Sequence, residues 1–140
     1  MSFSIEAGGA LSIAILFLAH LGLCAAYIQG GLVKLSDFPG ALAEMAHFRL
    51  TPPALFAVLV IVLELGASVL ILTGLLRWLG ALTLAGFTLV STLIALRFWE
   101  QPAGKARHAD ANAFFEHLGL IGGFLLVAWV DLAQDPSPDL

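Results

Sequence analysis

Residues 54–76 form a long apolar run with one carboxylate, Glu64, near its middle. A helix needs about 20 residues to cross about 30 Å of hydrocarbon, at about 1.5 Å per residue. This run is long enough. A charge at membrane depth costs on the order of 3 kcal/mol or more, so it is usually paired, turned into a bundle, or functional. Three further runs have similar length. The spans read as residues 7–31, 53–75, 78–99 and 113–131, with Pro52 and Pro53 suited to starting the second helix. The expected fold is all-α: an integral membrane bundle of four transmembrane helices, residues 1–140 forming a single membrane domain. The tail at 132–140 is polar and proline-broken and reads as frayed.

Composition agrees with the spans. Hydrophobic residues make up 60% of the 140 and charged residues 11%. Soluble domains average about 45–50% and about 25%. The net charge is −4 and no basic run is present, so no nucleic-acid partner is expected. Cys24 is the single cysteine, which excludes an intrachain disulfide and a CxxC redox pair. It reads as a helix-packing residue. Residues 1–7 carry no Lys or Arg, and the apolar stretch at 7–28 exceeds the core of about 7–15 residues of a secretory signal. The segment reads as a retained transmembrane helix.

The connection at 74–80 is so short that the second and third spans must be antiparallel neighbours. The first connection is longer and is not plain loop. Ser36 or Asp37 can cap a short helix with Pro39 in its first turn, continuing through ALAEMAHF. Phe38, Leu42 and Met45 fall along one side, as in a short interfacial helix. Side B denotes the face with the two longer connections, and side A the face with the termini. Lys34, Arg49, Arg97, Lys105 and Arg107 fall toward side B, and only Arg77 toward side A. The positive-inside rule then places side B in the cytoplasm and both termini outside an inner (cell) membrane.

The spacing brings polar residues to shared depths. Glu64 is about 16 Å below the side-B end of its helix, and His20 is expected at a similar depth in the first span. At that depth the two could face each other. Along the first helix His20, Cys24, Tyr27, Gly31 and Lys34 project in nearly one direction. Ser68 is one turn from Glu64. Thr88, Ser91 and Thr92 group on the third span, though such hydroxyls often bond their own helix. Glu116 and His117 are expected in the first turn of the fourth, near side B. Small residues (Gly22, Ala26, Gly30; Ala81, Ala85; Gly119, Gly122, Gly123) permit close helix approach.

Two readings stay open. The polar groups hold the bundle together, Glu64 pairing with Lys34 or His20. Alternatively, Glu64, His20, Lys34, Tyr27 and Ser68 line a pocket open to side B, with His117, Glu116 and Arg97 secondary, that takes a quinone or a thiol compound. Bis-histidine haem is disfavoured because His20 and His117 sit at different heights. No metal is expected, because the histidines lack tight ligand spacing. No covalently bound cofactor is expected.

Several segments together resemble the DoxX family of small four-helix membrane proteins: GGLVKLSDFPGAL at 30–42, LELG at 63–66, LTGLLRWLGAL at 72–82, RFWE at 97–100 and NAFFEHLGLIGGFLL at 112–126. The likeness covers roughly residues 21–130. It implies four membrane helices, with a lysine after the first, here Lys34, and a glutamate within the second, here Glu64. It also implies association with quinone-linked or thiol-stress redox complexes. Many relatives have a histidine where this chain has Leu96, and often Lys-Asn in place of Glu116 and His117. The function expected is a membrane subunit of a redox complex with a quinone or thiol-compound pocket, working with a protein partner or as a homo-oligomer in the lipid bilayer. The alternative is a non-catalytic anchor for a soluble enzyme, docking through Arg49, Lys105 and Arg107. A solute or proton transporter ranks third.

Overall fold

A computed structural model describes the backbone of residues 2–134 and the side chains of residues 8–134. Five α-helices follow in order: α1 Ser2–Ser36, α2 Phe38–His47, α3 Pro53–Thr73, α4 Arg77–Ala95 and α5 Lys105–Gln134. A 3-10 turn at Phe98–Glu100 follows α4. Four helices are long and apolar enough to cross a membrane: α1, α3, α4 with its following turn, and α5. The chain is an all-α multi-pass membrane bundle. Residues 135–140 of the expected frayed tail lie outside the described residues, and residues 132–134 belong to α5.

Two helices outrun the apolar runs that announced them. α1 continues past Gly31 to Ser36 because Gly30 and Gly31 are packing positions, not a stop. A Cβ on Gly31 would sit 2.7 Å from the Leu65 side chain of α3. α5 starts at Lys105, eight residues before the apolar run, because KARHADAN is helix-forming but polar. Hydropathy marks where lipid begins, whereas backbone hydrogen bonding carries the helix on into water.

The spanning helices are arranged in the cyclic order α1, α3, α4, α5. Each contacts its neighbours, and the backbones of the diagonal pairs α1/α4 and α3/α5 stay apart. The buried stripe of α3 is Ala57, Ile61, Glu64, Ala67, Ser68 and Ile71. That is the 3.6-residue period of a helix face, so Glu64 occupies a core position. The stripe of α4 is Gly80, Ala81, Leu84, Ala85, Thr88 and Thr92. A Cβ on Gly80 would lie 2.7 Å from the Ala67 carbonyl oxygen. Backbone thus meets backbone at this seam. Lipid tails are as apolar as side chains, so this close van der Waals fit does the work that the hydrophobic effect does in water. Gly22, Gly119 and Gly122 face open space instead, and Gly123 alone of the α5 glycines packs, against Leu23.

α2 closes the side-B end. Asp37 caps it, accepting from the Gly40 N–H at 3.1 Å, and Pro39 occupies the first turn. Ala41 and Met45 pack on Ala57 of α3, with Phe38, Leu42, Leu50, Phe56 and Val60 around them. α1 ends short of the side-B tip of α3, and α2 covers the space above it. At the same end the 3-10 turn meets α5. Phe98 is 5.4 Å from Phe114 in an edge-on arrangement, and Trp99 is 5.7 Å from Phe114.

At the opposite end the turn between α3 and α4 uses two left-handed residues, Gly74 (φ 80) and Leu76 (φ 52). Leu76 offers no side-chain cap to α4. The cap comes from a distant helix: Asp131 of α5 accepts from the Trp78 N–H at 2.9 Å. A carboxylate there also meets the positive end of the helix dipole. Arg77 donates from Nε to the Ile71 carbonyl at 2.8 Å and so satisfies the end of α3.

Candidate functional site

Lys34 Nζ donates to Glu64 Oε1 at 2.9 Å. The Glu64 side chain is 5% exposed and the Lys34 side chain 16%. Burying two charges is repaid only when they meet in good geometry, and this pair does. Of the two partners expected for Glu64, Lys34 is the one that pairs with it and His20 is not. Gly30, not His20, stands at the height of Glu64: a Cβ on Gly30 would lie 2.7 Å from Glu64 Oε2. His20 is ten residues earlier on the same helix, about 15 Å toward side A. Its charged neighbours there are Arg77 and Asp131. The depth argument misplaced it because α1 runs on to Ser36, so that Gly30 rather than His20 reaches the height of Glu64.

The ion pair forms part of a cavity of about 490 Å³, a size usual for small-molecule sites. Tyr27, Gly30 and Lys34 of α1 reach it, as do Leu63 and Glu64 of α3. Glu44 and Met45 of α2 close its upper side, and Phe87, Thr88 and Ser91 of α4 form another wall. His117 and Leu120 of α5 complete the ring. Most of the lining is aliphatic or aromatic, with a few polar groups converging.

Tyr27 and Thr88 make the floor. Their hydroxyls hydrogen-bond across the bundle from α1 to α4, both residues being buried. Thr88 also donates to the Leu84 carbonyl at 2.7 Å, so in this bond its oxygen accepts from Tyr27. The Tyr27 ring stands edge-on to Phe124, 5.4 Å away, which locks its position. Below this floor Cys24, Ala67, Leu84, Ala85 and Phe124 form a dry core.

Not all the expected residues converge. Glu64, Lys34 and Tyr27 line the cavity, and so does His117, which ranked only as secondary. Ser68 does not: its hydroxyl donates to the Glu64 carbonyl at 2.7 Å, and it is buried beside Cys24. His20 is outside. Glu116 is exposed on the outer face of α5. Arg97 is exposed and pairs with Glu100 at 3.3 Å. The expectation that Glu116 and His117 open the fourth helix is also corrected, because α5 has already made three turns when it reaches them.

Sequence reasoning missed Glu44 and Met45 as lining residues. Their positions on a capped amphipathic α2 were the available signal. It also missed the partner of His117, whose Nδ1 is 2.9 Å from Thr92 Oγ1. This contact lies one turn from Leu96. Among the described residues no group of three or more His, Cys, Asp or Glu is placed to hold a metal.

A bundle of four apolar helices with a lysine–glutamate pair on the wall of a partly open cavity defines the class. Residues 15–97, more than half of the chain, match the DoxX family, and the chain belongs to it. It is similar to the inner membrane protein YphA of Escherichia coli (strain K12), with 28% identity over 120 residues, covering 86% of this chain and 85% of that protein. No solved structure matches. The chain is therefore a multi-pass protein of the cell membrane.

Proposed function

We propose that the cavity binds the flat headgroup of a quinone-class molecule and that the chain serves as a membrane subunit of a redox complex. The observation that carries this is the position of the Lys34–Glu64 pair. The pair lies on the wall of an apolar, aromatic-lined cavity, with Lys34 partly exposed to it. A pair that only glued helices would be shut into a seam between them. Lys34 supplies a charge-assisted donor for a carbonyl or phenolate oxygen, and Glu64 a carboxylate that can accept a hydroxyl proton. Phe87 and Phe56 add aromatic side chains to the lining.

Reducing a quinone takes two electrons and two protons. With one cysteine the chain has no dithiol to deliver the electrons, so a partner protein of the complex supplies them. The exposed Arg49, Lys105 and Arg107 offer that partner a basic face on side B. With Lys34 committed to Glu64, the basic excess on side B still supports a cytoplasmic placement of that side.

The test is equilibrium binding of a radiolabelled short-tailed benzoquinone to the purified chain in lipid nanodiscs. Binding is expected in the natural chain and loss of at least tenfold in Lys34→Met. A natural chain that binds none would refute the reading. So would a Lys34→Met variant that folds and binds unchanged.

A further inference from the structure

The cavity has a second polar pole that the ion pair does not use. His117 is on α5 and Glu64 on α3, helices diagonally opposed in the bundle. Thr92, 1% exposed, holds the imidazole by its Nδ1. Ser68, Thr73, Thr83 and Thr88 all donate their hydroxyl protons to carbonyls of their own helix. Among the described residues Thr92 makes no such bond, and His117 is its hydroxyl's one side-chain partner. A buried hydroxyl left without an acceptor costs about 1–3 kcal/mol, so its proton goes to Nδ1. With Nδ1 taken up by that bond, Nε2 is the ring nitrogen left to donate. Among the described residues Nε2 has no hydrogen-bond partner, yet no side-chain nitrogen or oxygen is sealed away unbonded. Nε2 therefore faces open space, on a residue that lines the cavity.

We propose that His117, oriented by Thr92, is a second ligand-binding residue, and that its Nε2–H donates to an oxygen on the far side of the ligand ring from Lys34 and Glu64. The cavity then selects a flat ring with oxygens at opposite ends, a para-quinone or its quinol, over a ring with one oxygen. Phe87 and Leu120 also line the cavity and accept the apolar body of the ring. Thr92 is a positioning residue. This inference rests on the cavity being a quinone-class headgroup site, and the test separates the two.

Two measurements decide it. The first is histidine nitrogen NMR on the full chain in nanodiscs, with His117 assigned by its absence in His117→Leu. An unprotonated Nδ1 and a protonated Nε2 are expected, with the preference lost in Thr92→Val. The opposite tautomer in the natural chain overturns the assignment whether or not any ligand binds. The second is binding of a short-tailed 1,4-benzoquinone compared with an analogue lacking one ring oxygen. In the natural chain the quinone binds roughly tenfold tighter, the effect of about one hydrogen bond. In His117→Leu that preference disappears, and His117→Gln restores part of it. A preference that survives in folded His117→Leu overturns the second pole and leaves the Lys34–Glu64 site standing. No quinone binding by the natural chain, while Lys34→Met and His117→Leu fold normally, overturns the headgroup reading and this inference with it.

Discussion

The two ends of the bundle carry the same three kinds of side chain and use them differently. Near side A are His20, Arg77 and Asp131, and around the cavity toward side B are His117, Lys34 and Glu64. At side A the charges are spent on backbone: Asp131 accepts from the Trp78 N–H, and Arg77 donates to the Ile71 carbonyl. Both bonds satisfy helix ends, which leave orphan donors and acceptors wherever a helix stops. Toward side B the charges meet each other, Glu64 from mid-helix and Lys34 from the last turn of α1, where Lys34 Nζ also makes a long 3.5 Å bond to the Gly30 carbonyl. Residue type does not separate a structural polar cluster from a binding one. What separates them is whether the polar atoms finish the backbone or face a space.

The largest expected effect is at the ion pair. Lys34→Met leaves Glu64 buried without its partner and should cost about 3–5 kcal/mol, read from detergent-mediated unfolding followed by circular dichroism. Adding Glu64→Gln removes the orphaned charge, so the double variant should recover most of that stability while still failing to bind quinone. A double variant that regains both would make the side-B pair no different from the side-A cluster.

Gly30→Ala should come next, at about 1–3 kcal/mol, because the new methyl meets Glu64 Oε2 and overpacks the site. The same unfolding curves and the quinone titration should both shift. At the other end Asp131→Ala should cost about 1 kcal/mol, the value of a helix cap, and leave quinone affinity unchanged. A tenfold loss of affinity in that variant would show that the two ends are not independent. The smallest effect is at Gly74→Ala. The left-handed φ of 80° penalises the new Cβ, while the stiffer unfolded chain offsets part of the cost, for a net loss of about 0.5–1 kcal/mol in the same assay.

Much of this architecture is legible in the amino-acid order. Four apolar runs of membrane length, the tight GLLR turn and the Asp37–Pro39 start of α2 each follow from local rules. Lys34 and Glu64 were both visible as candidates. Their partnership was legible only as one of two options, since it depends on the vertical offset between α1 and α3. That offset is set by Gly30 and Gly31 fitting against Glu64 and Leu65, a long-range packing fact. His20 was misjudged for the same reason. A pocket beside Glu64 was legible only as one of two readings, and its walls were not, because it forms where α2 roofs a gap between helices whose diagonal backbones do not touch. The bond of Thr92 to His117 was hidden because a threonine on a helix normally bonds its own backbone.

The cap that Asp131 gives to α4 has a consequence for how the chain is made. Trp78 leaves the ribosome more than fifty residues before Asp131 does. Until the last span is synthesised and docked, the α3–α4 hairpin keeps an unmatched N–H at its turn. The bond therefore works as a clasp that only a completed chain can fasten. A nascent protein stalled or truncated before residue 131 presents an open turn on the side-A surface, a local signature by which unfinished and finished molecules differ.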